Sequence, residues 1–425
     1  MIQTGESTAP LMTESPWPKV LWGLLIFSFL GTILLPSFRN EYYPGENLYA
    51  LQARAFCHGR LGLSEKHYDT ALVGGQYHLV NPPFPALVLL PFVAVLPQHT
   101  DKITSLAVAL ALTVVAGYAL RRILLKLAVA DRTIPWACLG LFGGTGFWFC
   151  LQMSHAMWFF AHIVGITALL LAIQETLYKG RGVVAGFLLG AAFLSRQMML
   201  YSVLFFAVAL WQRDVQARQD RRHAWLNLAG FAGVFGLAVG GYLWFNWVRF
   251  GNPLDPGYQL LAQRDYLAWR QAHLGLFHPL YIPVNLIHLF FQGPHIEFDP
   301  PGLLTHWHLN PFGTSLTFAS PFLLLAFWGT WPEARVHRAL WATIFLTMTH
   351  ALMYHTNGWV QVNTYRYALD FVPLVLLLAA RSAPRIPPGW FRALVIYAVA
   401  LNALALFWIP FIGRAYEQYI LKPGP

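Results

Sequence analysis

The feature that most limits the fold of this chain is a series of long apolar runs, each approaching the roughly 20 residues that a helix needs to cross a bilayer. Of 425 residues, 57% are hydrophobic and 11% are charged, whereas an ordinary soluble domain carries about 25% charged residues. The runs lie at about 19–36, 103–120, 133–152, 156–177, 224–246, 314–331, 338–355, 367–380 and 390–411. The sequence therefore predicts an all-α polytopic membrane protein.

Two further segments decide the number of spans. The run 182–211 is too long for one span, and SRQ at 195–197 predicts two short helices that meet at a polar turn. The run 82–98 is only about 15 residues long and contains prolines at both ends and in its middle. We interpret it as re-entrant or interfacial. The count is then about 11 transmembrane helices.

The basic residues support this count. If 82–98 does not cross, five loops with clusters of basic residues fall on one side, as the positive-inside rule requires of the cytoplasmic side. These loops include Arg121, Lys126, Lys179, Arg213, Arg221, Arg335 and Arg381. The N-terminus is then cytoplasmic, and long outer loops occupy 38–102 and 247–313 of a single transmembrane domain, 1–425. Both outer loops are expected to carry interfacial helices, and the apolar patch 275–291 is expected to lie along the bilayer surface.

Charge and cysteine content exclude other classes of protein. The net charge of +10 is explained by the cytoplasmic loops, and no basic run with interleaved aromatic residues indicates nucleic-acid binding. Three cysteines cannot form a disulfide framework. The first apolar run has no small-residue cleavage site, which indicates an uncleaved span. We expect a multi-pass protein of the inner (plasma) membrane.

Polar residues that interrupt the apolar runs gather at the outer face in this topology, which predicts one outward-facing polar cavity. They are His155, Arg196, Gln197, Asn246, Arg249, His306, His308, Asn310 and the run 355–371.

Structural explanations stay open for several of these residues. Arg366 and Asp370 are four residues apart and would form an ion pair on one helical face. Arg196 would extend to the membrane interface, and Glu46 would complement a helix dipole. His306 and His308 form the H-x-H pattern of some metal sites, a weak signal by itself. No cofactor is assigned from the sequence, and a bound divalent metal stays open.

Several motifs, taken in order, resemble the GT-C superfamily of membrane glycosyltransferases. They are Glu46-Asn-Leu-Tyr49-Ala after the first span, Gly-Arg-Leu at 59–61, YHLVNPPFPALVLL, GFLLGAAFLSRQ and a late Tyr-Arg-Tyr. More narrowly, the chain resembles the bacterial transferases related to protein O-mannosyltransferases and to the lipid A aminoarabinose transferase. Within these it resembles a subgroup of unassigned substrate, with segments like WFNWVRFGNPLDPGY and GWVQ...YRYALDF.

The resemblance implies transfer of a sugar from a polyprenyl-phosphate carrier to a lipid, glycan or protein acceptor at the outer (periplasmic) face, within the cell envelope. It also implies an activating acid in the first outer loop, often an Asp-Glu pair. Gly45 stands at the position of that Asp, so only Glu46 remains, and Asn81 stands where the aminoarabinose enzymes carry a basic residue. These departures leave open a noncatalytic relative.

The residues support this chemistry independently. Attack by a hydroxyl on an anomeric carbon needs a carboxylate base, for which Glu46 is the first candidate and Glu41 or Asp69 are substitutes. Arg196 and Arg366 are the candidates for the lipid phosphate. The further substrate-binding candidates are Gln197, Tyr367, Tyr49, Asn81 and His155. The apolar segments 82–98 and 275–291 are expected to wall a groove for the prenyl tail.

Two other functions stay open. A polar cavity inside eleven spans could carry a solute or flip a lipid, although the sequence shows no paired halves or twin broken helices of the kind many transporters use. A noncatalytic membrane scaffold is the third alternative, and it gives no reason for so many polar groups on one face.

Overall fold

The structure, a computed structural model, describes residues 47–218, 221–261, 265–293, 296–298, 307–309, 314–356 and 366–416. Its helices confirm an all-α polytopic membrane protein. In these ranges, four helical stretches are long and apolar enough to cross a membrane: Gln98–Lys126, Met157–Tyr178, Gln197–Gln216 and Arg221–Phe250. Shorter apolar helices accompany them. The count of eleven spans stays a prediction, since the first apolar run lies outside the described residues.

The α-helices in chain order are α1 (Leu48–Cys57), α2 (Phe84–Val93), α3 (Asp101–Lys126), α4 (Ile134–Gly143), α5 (Phe147–Gln152), α6 (Met157–Tyr178), α7 (Gly182–Phe193), α8 (Val203–Arg218), α9 (Arg221–Phe250), α10 (Asp265–Leu274), α11 (Ile282–Leu286), α12 (Leu316–Ala319), α13 (Ala334–Leu352), α14 (Val372–Arg381) and α15 (Trp390–Tyr416). Short 3-10 helices include Gln197–Ser202, Tyr258–Leu260, Pro321–Trp328 and Arg366–Asp370. The strands form two antiparallel hairpins, β1 (Thr70–Val73) with β2 (Gln76–Leu79) and β3 (Ile296–Phe298) with β4 (Trp307–Leu309).

The first outer loop folds against the bundle through one arginine. Asn47 caps α1, since its side chain accepts a hydrogen bond from the Tyr49 backbone N–H. Arg54, near the end of α1, donates through Nε and Nη2 to the Asp101 carboxylate at 3.1 and 2.5 Å. It also donates to the carbonyls of Val93 and Leu96. This arginine therefore joins α1 to the end of α2 and the start of α3. Helix α2 is ten residues long, which is too short to cross a bilayer.

Helices α7 and α9 pack closely because three glycines recur every fourth residue. A Cβ at Gly182 or Gly186 would lie 2.0 or 2.6 Å from the backbone oxygen of Asn227 or Phe231, and one at Gly190 would lie 2.7 Å from Ala238 Cβ. Small residues at this spacing let two helix backbones approach in a membrane. The close approach holds the end of α7 beside α9, where the polar residues collect.

The run 182–211 breaks as predicted: α7 ends at Phe193, and the 3-10 helix Gln197–Ser202 leads into α8. The run 275–291 contains a short helical stretch, Pro279–Phe291. Its exposed apolar side chains, Leu280, Val284, Ile287 and Phe291, recur at helical spacing, which favours the predicted position along a bilayer surface.

Two runs expected to form single continuous helices are interrupted instead. The run 133–152 is divided between α4 and α5 at Thr145, whose hydroxyl donates to Leu141 O and accepts from the Phe147 N–H. The run 314–331 is divided at Ser320 into α12 and the 3-10 helix Pro321–Trp328. The breaks touch, because Ser320 Oγ donates to Gly144 O at 2.6 Å. These paired interruptions were not predicted from the sequence.

Candidate functional site

One cavity of about 920 Å³ lies where several elements end on the side that the basic loops assign to the exterior. The β1–β2 hairpin and its flanks contribute Asp69 and Asn81, and the start of α6 contributes Trp158. The remaining walls come from the end of α7 and the turn after it, the outer part of α9, the segment 252–261, the end of α13 and the start of the 3-10 helix Arg366–Asp370. Elements distant in sequence thus meet at one recess.

The cavity brings together six of the ten site residues chosen from the sequence. They are Asp69, Asn81, Arg196, Gln197, Arg366 and Tyr367. Tyr49 and His155 are buried and do not line it. Glu41 and Glu46 lie outside the described residues, as do His306 and Asn310. The roles of all ten residues stay predictions.

Asp370 is the buried anion beside this cavity, and its partner is Arg196. Arg196 Nε and Nη2 donate to the two carboxylate oxygens at 3.0 and 2.9 Å, and His162 Nδ1 lies 3.3 Å from Oδ1. The hypothesis that Arg366 pairs with Asp370 along one helical face was wrong. Residues 366–370 form a 3-10 helix, in which positions i and i+3 rather than i and i+4 lie over one another.

Arg366 is therefore left as a buried cation at the cavity wall. It forms no ion pair with any carboxylate of the described chain. Its Nη2 lies 3.4 Å from the Tyr367 hydroxyl, and the guanidinium lies 5.3 and 5.1 Å from the ring centroids of Phe159 and Tyr367. Its Nε has no hydrogen-bond partner among the described residues. A guanidinium in this state attracts an anion, because a buried charge is costly until it is paired.

Asp69 supplies the carboxylate. Its φ of 52° is left-handed, which a non-glycine residue rarely adopts and which often marks a functional position. Trp158 Nε1 donates to Oδ2 at 2.5 Å and fixes the carboxylate at the cavity wall. Burial raises the pKa of the Asp69 carboxyl above its ordinary value, while the Trp158 hydrogen bond and the Arg366 charge act in the opposite direction. A raised pKa suits a proton acceptor.

Several residues that line the cavity were not predicted from the sequence. Asp255 and Tyr258 lie in the WFNWVRFGNPLDPGY segment, which in the sequence shows only a resemblance to a family segment. Asp255 Oδ1 accepts a hydrogen bond from the Gly257 N–H at 2.8 Å, in a turn where Gly257 has φ 89°. Trp158 was hidden in an apolar run. Tyr242, whose hydroxyl accepts a hydrogen bond from Gln197 Nε2, shows its polar role only once α7 and α9 are placed together.

Arg249, predicted to belong to the polar cavity, lies behind its wall instead. It is fully buried and donates to Leu79 O, to Phe245 O at 3.2 Å and to Asn246 Oδ1 at 3.0 Å. Asn246 in turn donates to Pro253 O. The pair holds β2 and the 252–256 segment against the end of α9, which places Asp69 and Asp255 around the same space.

No three His, Cys, Asp or Glu side chains are grouped as a metal site needs within the ranges that the structure describes. His308 belongs to β4, whose side chains are not among those described, and Glu41 and Glu46 precede the first described residue. A divalent metal therefore stays an expectation from the sequence.

Comparisons with known proteins give similarity in structure only. No protein-family model matches the sequence, and no curated protein matches it. Three solved structures are similar. ArnT from Cupriavidus metallidurans bound to undecaprenyl phosphate is 15% identical with a TM-score of 0.48, over 95% of this chain and 72% of that one.

The other two are archaeal enzymes. The Archaeoglobus fulgidus oligosaccharyltransferase in the apo form is 14% identical with a TM-score of 0.44, over 97% of this chain. AglB from the same organism, in complex with an inhibitory peptide and a dolichol-phosphate, is 13% identical with a TM-score of 0.43, over 96%. This chain spans 57% and 60% of their lengths. Likeness at this level of identity and TM-score assigns neither an activity nor a donor or acceptor to this chain.

Proposed function

We propose that this chain is a glycosyltransferase of the inner (plasma) membrane, which moves a sugar from a polyprenyl-phosphate donor to an acceptor hydroxyl at the outer face. The observation that carries the proposal is one cavity with three chemically different parts. It combines a buried guanidinium, Arg366, which pairs with no carboxylate of the described residues, with a fixed carboxylate, Asp69, and with an apolar arm between helices.

Arg366 is the phosphate ligand in this proposal. A guanidinium binds phosphate through strong charge-assisted hydrogen bonds, and in a site of low dielectric the interaction is little screened. Arg196 contributes less directly, because Asp370 already occupies its Nε and Nη2. It orders the turn that carries Gln197 and leaves the positive charge of Arg366 to the donor.

The apolar arm suits a prenyl chain. Its walls are Phe193 at the end of α7, Met198 and Leu200 after the turn, and Val239 and Leu243 on α9. Because α9 ends at Phe250, Val239 lies roughly 16 Å below that end at 1.5 Å per residue. Polar Asn246 lines the cavity from the outer part of the same helix. The cavity wall therefore changes from polar to apolar with depth, which matches a lipid phosphate with its charged head group outermost and its apolar chain below.

The segments first expected to wall the prenyl groove contribute little to the described cavity. From 82–98 only Pro82 lines it, and from 275–291 only Leu276 and Phe277 do. We therefore assign the prenyl tail to the arm between the 3-10 helix Gln197–Ser202 and α9.

Asp69 is the base in this proposal, because the other described carboxylate that lines the cavity, Asp255, accepts the Gly257 N–H within its own turn. It takes the proton of the acceptor hydroxyl while the acceptor oxygen bonds to the anomeric carbon of the sugar. The bond between that carbon and the phosphate oxygen breaks, and the polyprenyl phosphate leaves with the electron pair beside Arg366. Glu46 and Glu41 remain alternative bases on the sequence argument.

A transporter is the second candidate, since two interrupted helical segments meet in this structure. Discontinuous helices meeting near the bilayer centre form the binding sites of many transporters. Here Gly144 and Ser320, where the breaks touch, do not line the cavity, and a Cβ on Gly144 would lie 3.1 Å from the Phe322 ring. The breaks are closely packed, so they provide a crossing point for helices rather than space for a solute.

Binding of undecaprenyl phosphate to the purified chain, followed by native mass spectrometry, tests the proposal. Arg366→Gln should weaken binding by about tenfold or more, because a hydrogen bond to a charged group contributes about 1.5–3 kcal/mol. Arg60→Gln is the matched control, since Arg60 is exposed on the same predicted side and does not line the cavity. Equal affinity of wild type and Arg366→Gln would overturn the phosphate site.

A further inference from the structure

A second recess of about 440 Å³ adjoins the main cavity. It lies between the 3-10 helix Tyr258–Leu260 and α10, and Gln259, Leu261 and Leu276 line both spaces. The shared lining residues make the two spaces neighbours across one wall. The volume falls within the range of about 300–1,000 Å³ that small-molecule sites occupy. The recess therefore lies next to the cavity that Asp69 lines.

Gln271 gives this recess an oriented polar group. Its Nε2 donates to Gln259 O at 3.0 Å and lies 3.5 Å from Tyr258 O, so both carbonyls fix which end of the amide is the donor. Its Oε1 is buried and has no hydrogen-bond partner in the part of the chain that the structure describes. Leaving such an acceptor unsatisfied costs about 1–3 kcal/mol. A ligand hydroxyl that donates to Oε1 removes this cost.

The remaining walls fit a compact, uncharged ligand. Ala268, Ala272 and Gly275 carry little or no side chain, and Leu261 and Leu276 supply apolar surface. None of the described lining residues carries a formal charge. A phosphorylated or carboxylated acceptor would lose its hydration here without gaining a cation. Hydroxyl groups on an otherwise apolar ring, the chemistry of a neutral sugar, match these walls.

An exposed aromatic pair lies on α10, the helix that forms one wall of the recess. Trp269 and His273 each follow a lining residue on α10, and their rings stack at 4.5 Å with 19° between the planes. His273 Nδ1 also lies 2.8 Å from Trp269 O, which fixes the imidazole against the indole. Trp269 remains 57% exposed. A flat, rigid, exposed ring with an N–H group offers contact to a further sugar at small cost in side-chain entropy.

We infer that this recess is the acceptor subsite and that the acceptor is a neutral oligosaccharide. One sugar binds between Gln271 and the small residues of α10, the next contacts Trp269, and the terminal hydroxyl reaches toward Asp69. The inference rests on the proposed function and names the acceptor class for it. A peptide and an acidic glycan are the competing acceptors.

Saturation-transfer NMR on the full chain in lipid nanodiscs, with undecaprenyl phosphate present, tests this inference. The probes are neutral trisaccharides to hexasaccharides, acidic oligosaccharides of equal length, and serine-rich peptides. We expect signals from neutral saccharides only. Gln271→Ala should weaken their binding by up to about tenfold, as loss of one hydrogen bond does. Ala268→Phe should abolish binding by filling the recess.

Two matched controls separate binding from general damage. Gln216→Ala removes an exposed glutamine at the opposite end of the bundle, and Trp390→Ala removes a tryptophan with the same 57% exposure as Trp269. Both should bind saccharide as the wild type does, whereas Trp269→Ala should bind it more weakly. If Trp269 only anchors the chain at the bilayer interface, its replacement leaves saccharide binding unchanged, which contradicts the proposed sugar contact.

Different results would refute the acceptor inference and the proposed glycosyltransferase function. Binding of peptides or acidic glycans in place of neutral saccharides, or saccharide binding that ignores Gln271 and Ala268, overturns the acceptor inference. The acceptor inference is also overturned if the chain binds undecaprenyl phosphate through Arg366 and binds no saccharide. None of these results contradicts the proposed donor site. A chain that binds no undecaprenyl phosphate refutes the proposed function itself.

Discussion

Arg196 and Asp370 lie 174 residues apart in the sequence and form a bidentate ion pair in which the carboxylate is fully buried. The pair joins the turn after α7 to the 3-10 helix before α14. It also determines which arginine stays available in the cavity, because Arg196 satisfies the carboxylate that Arg366 would otherwise neutralise. The division of work between the two arginines follows from this pairing.

Loss of Arg196 should destabilise the fold strongly. Arg196→Ala leaves Asp370 buried beside His162 without its cation, and breaking a buried pair from one side costs about 3–5 kcal/mol. The midpoint of thermal unfolding in detergent should fall accordingly. The double variant Arg196→Met with Asp370→Leu should recover most of the loss, since an apolar pair of similar volume removes both charges. An unchanged midpoint for Arg196→Ala would show that the pair contributes nothing to stability.

Loss of Arg366 should weaken lipid-phosphate binding and leave thermal stability nearly unchanged. Arg366→Gln removes a cation that lacks a carboxylate partner among the described residues, so the unfolding midpoint should stay near that of the wild type while undecaprenyl phosphate binds more weakly. Measuring midpoint and affinity on one preparation separates the two arginines. If Arg366→Gln unfolds the chain as Arg196→Ala does, Arg366 has a structural role instead.

Trp158 should set the pH range of catalysis. An N–H bonded to a carboxylate stabilises its charged form, so Trp158→Phe removes a contact that lowers the Asp69 pKa and the pKa rises further. A base works only when deprotonated, so the acid limb of the pH–rate profile should move to higher pH. An unshifted acid limb in Trp158→Phe would indicate that the base is another carboxylate, with Glu46 the first to examine.

Close packing of α7 on α9 gives a test of the fold. Gly186→Leu would drive a side chain into Phe231 O, 2.6 Å from the position of its Cβ, and should lower stability by at least about 1–3 kcal/mol. Gly233→Ala, on α9 where no atom lies within 4 Å of the added Cβ, should be neutral or stabilising by up to about 1 kcal/mol. Equal unfolding midpoints for both variants would contradict this helix contact.

Topology is tested by cysteine labelling in a Cys57→Ser background, since Cys57 is exposed. Glu65→Cys, in the first outer loop, should react with an impermeant reagent added outside intact cells, and Gln216→Cys should react only after permeabilisation. Labelling of Gln216→Cys from outside would invert the orientation that the basic loops indicate.

Local patterns in the sequence predicted what depends on local physics. Apolar length located α6 and α9, and SRQ located the break after Phe193. Polar residues within apolar runs indicated the cavity, which Arg196, Gln197 and Arg366 do line. The ion-pair partner of Asp370 could not be predicted from the sequence. Whether Asp370 pairs with Arg196 or with Arg366 depends on how α7 and α14 pack against each other in the tertiary structure.

The interruptions at Thr145 and Ser320 were not predicted, although turn-forming residues mark both places in the sequence: Gly-Gly-Thr-Gly at 143–146 and Ser-Pro at 320–321. The length of the apolar runs alone predicts continuous spans, and that the two breaks touch, through the Ser320 hydrogen bond to Gly144, depends on the tertiary fold. Gly74-Gly75 marks the turn of the hairpin that follows Asp69. Asp69 was nevertheless ranked below Glu46, because the Trp158 contact that fixes its carboxylate depends on the tertiary fold.

The most direct test of the account is release of polyprenyl phosphate from its sugar by the purified chain in lipid, measured by mass spectrometry against Asp69→Asn and Arg366→Gln. The account predicts that the wild type, supplied with polyprenyl-phosphate sugars extracted from cell envelopes and with a neutral oligosaccharide, forms free polyprenyl phosphate and a lengthened glycan. Asp69→Asn should reduce the rate by about 10² or more with donor binding intact, whereas Arg366→Gln should weaken donor binding. Release at the wild-type rate by Asp69→Asn and Arg366→Gln would contradict the assignment of this cavity as the site of sugar transfer.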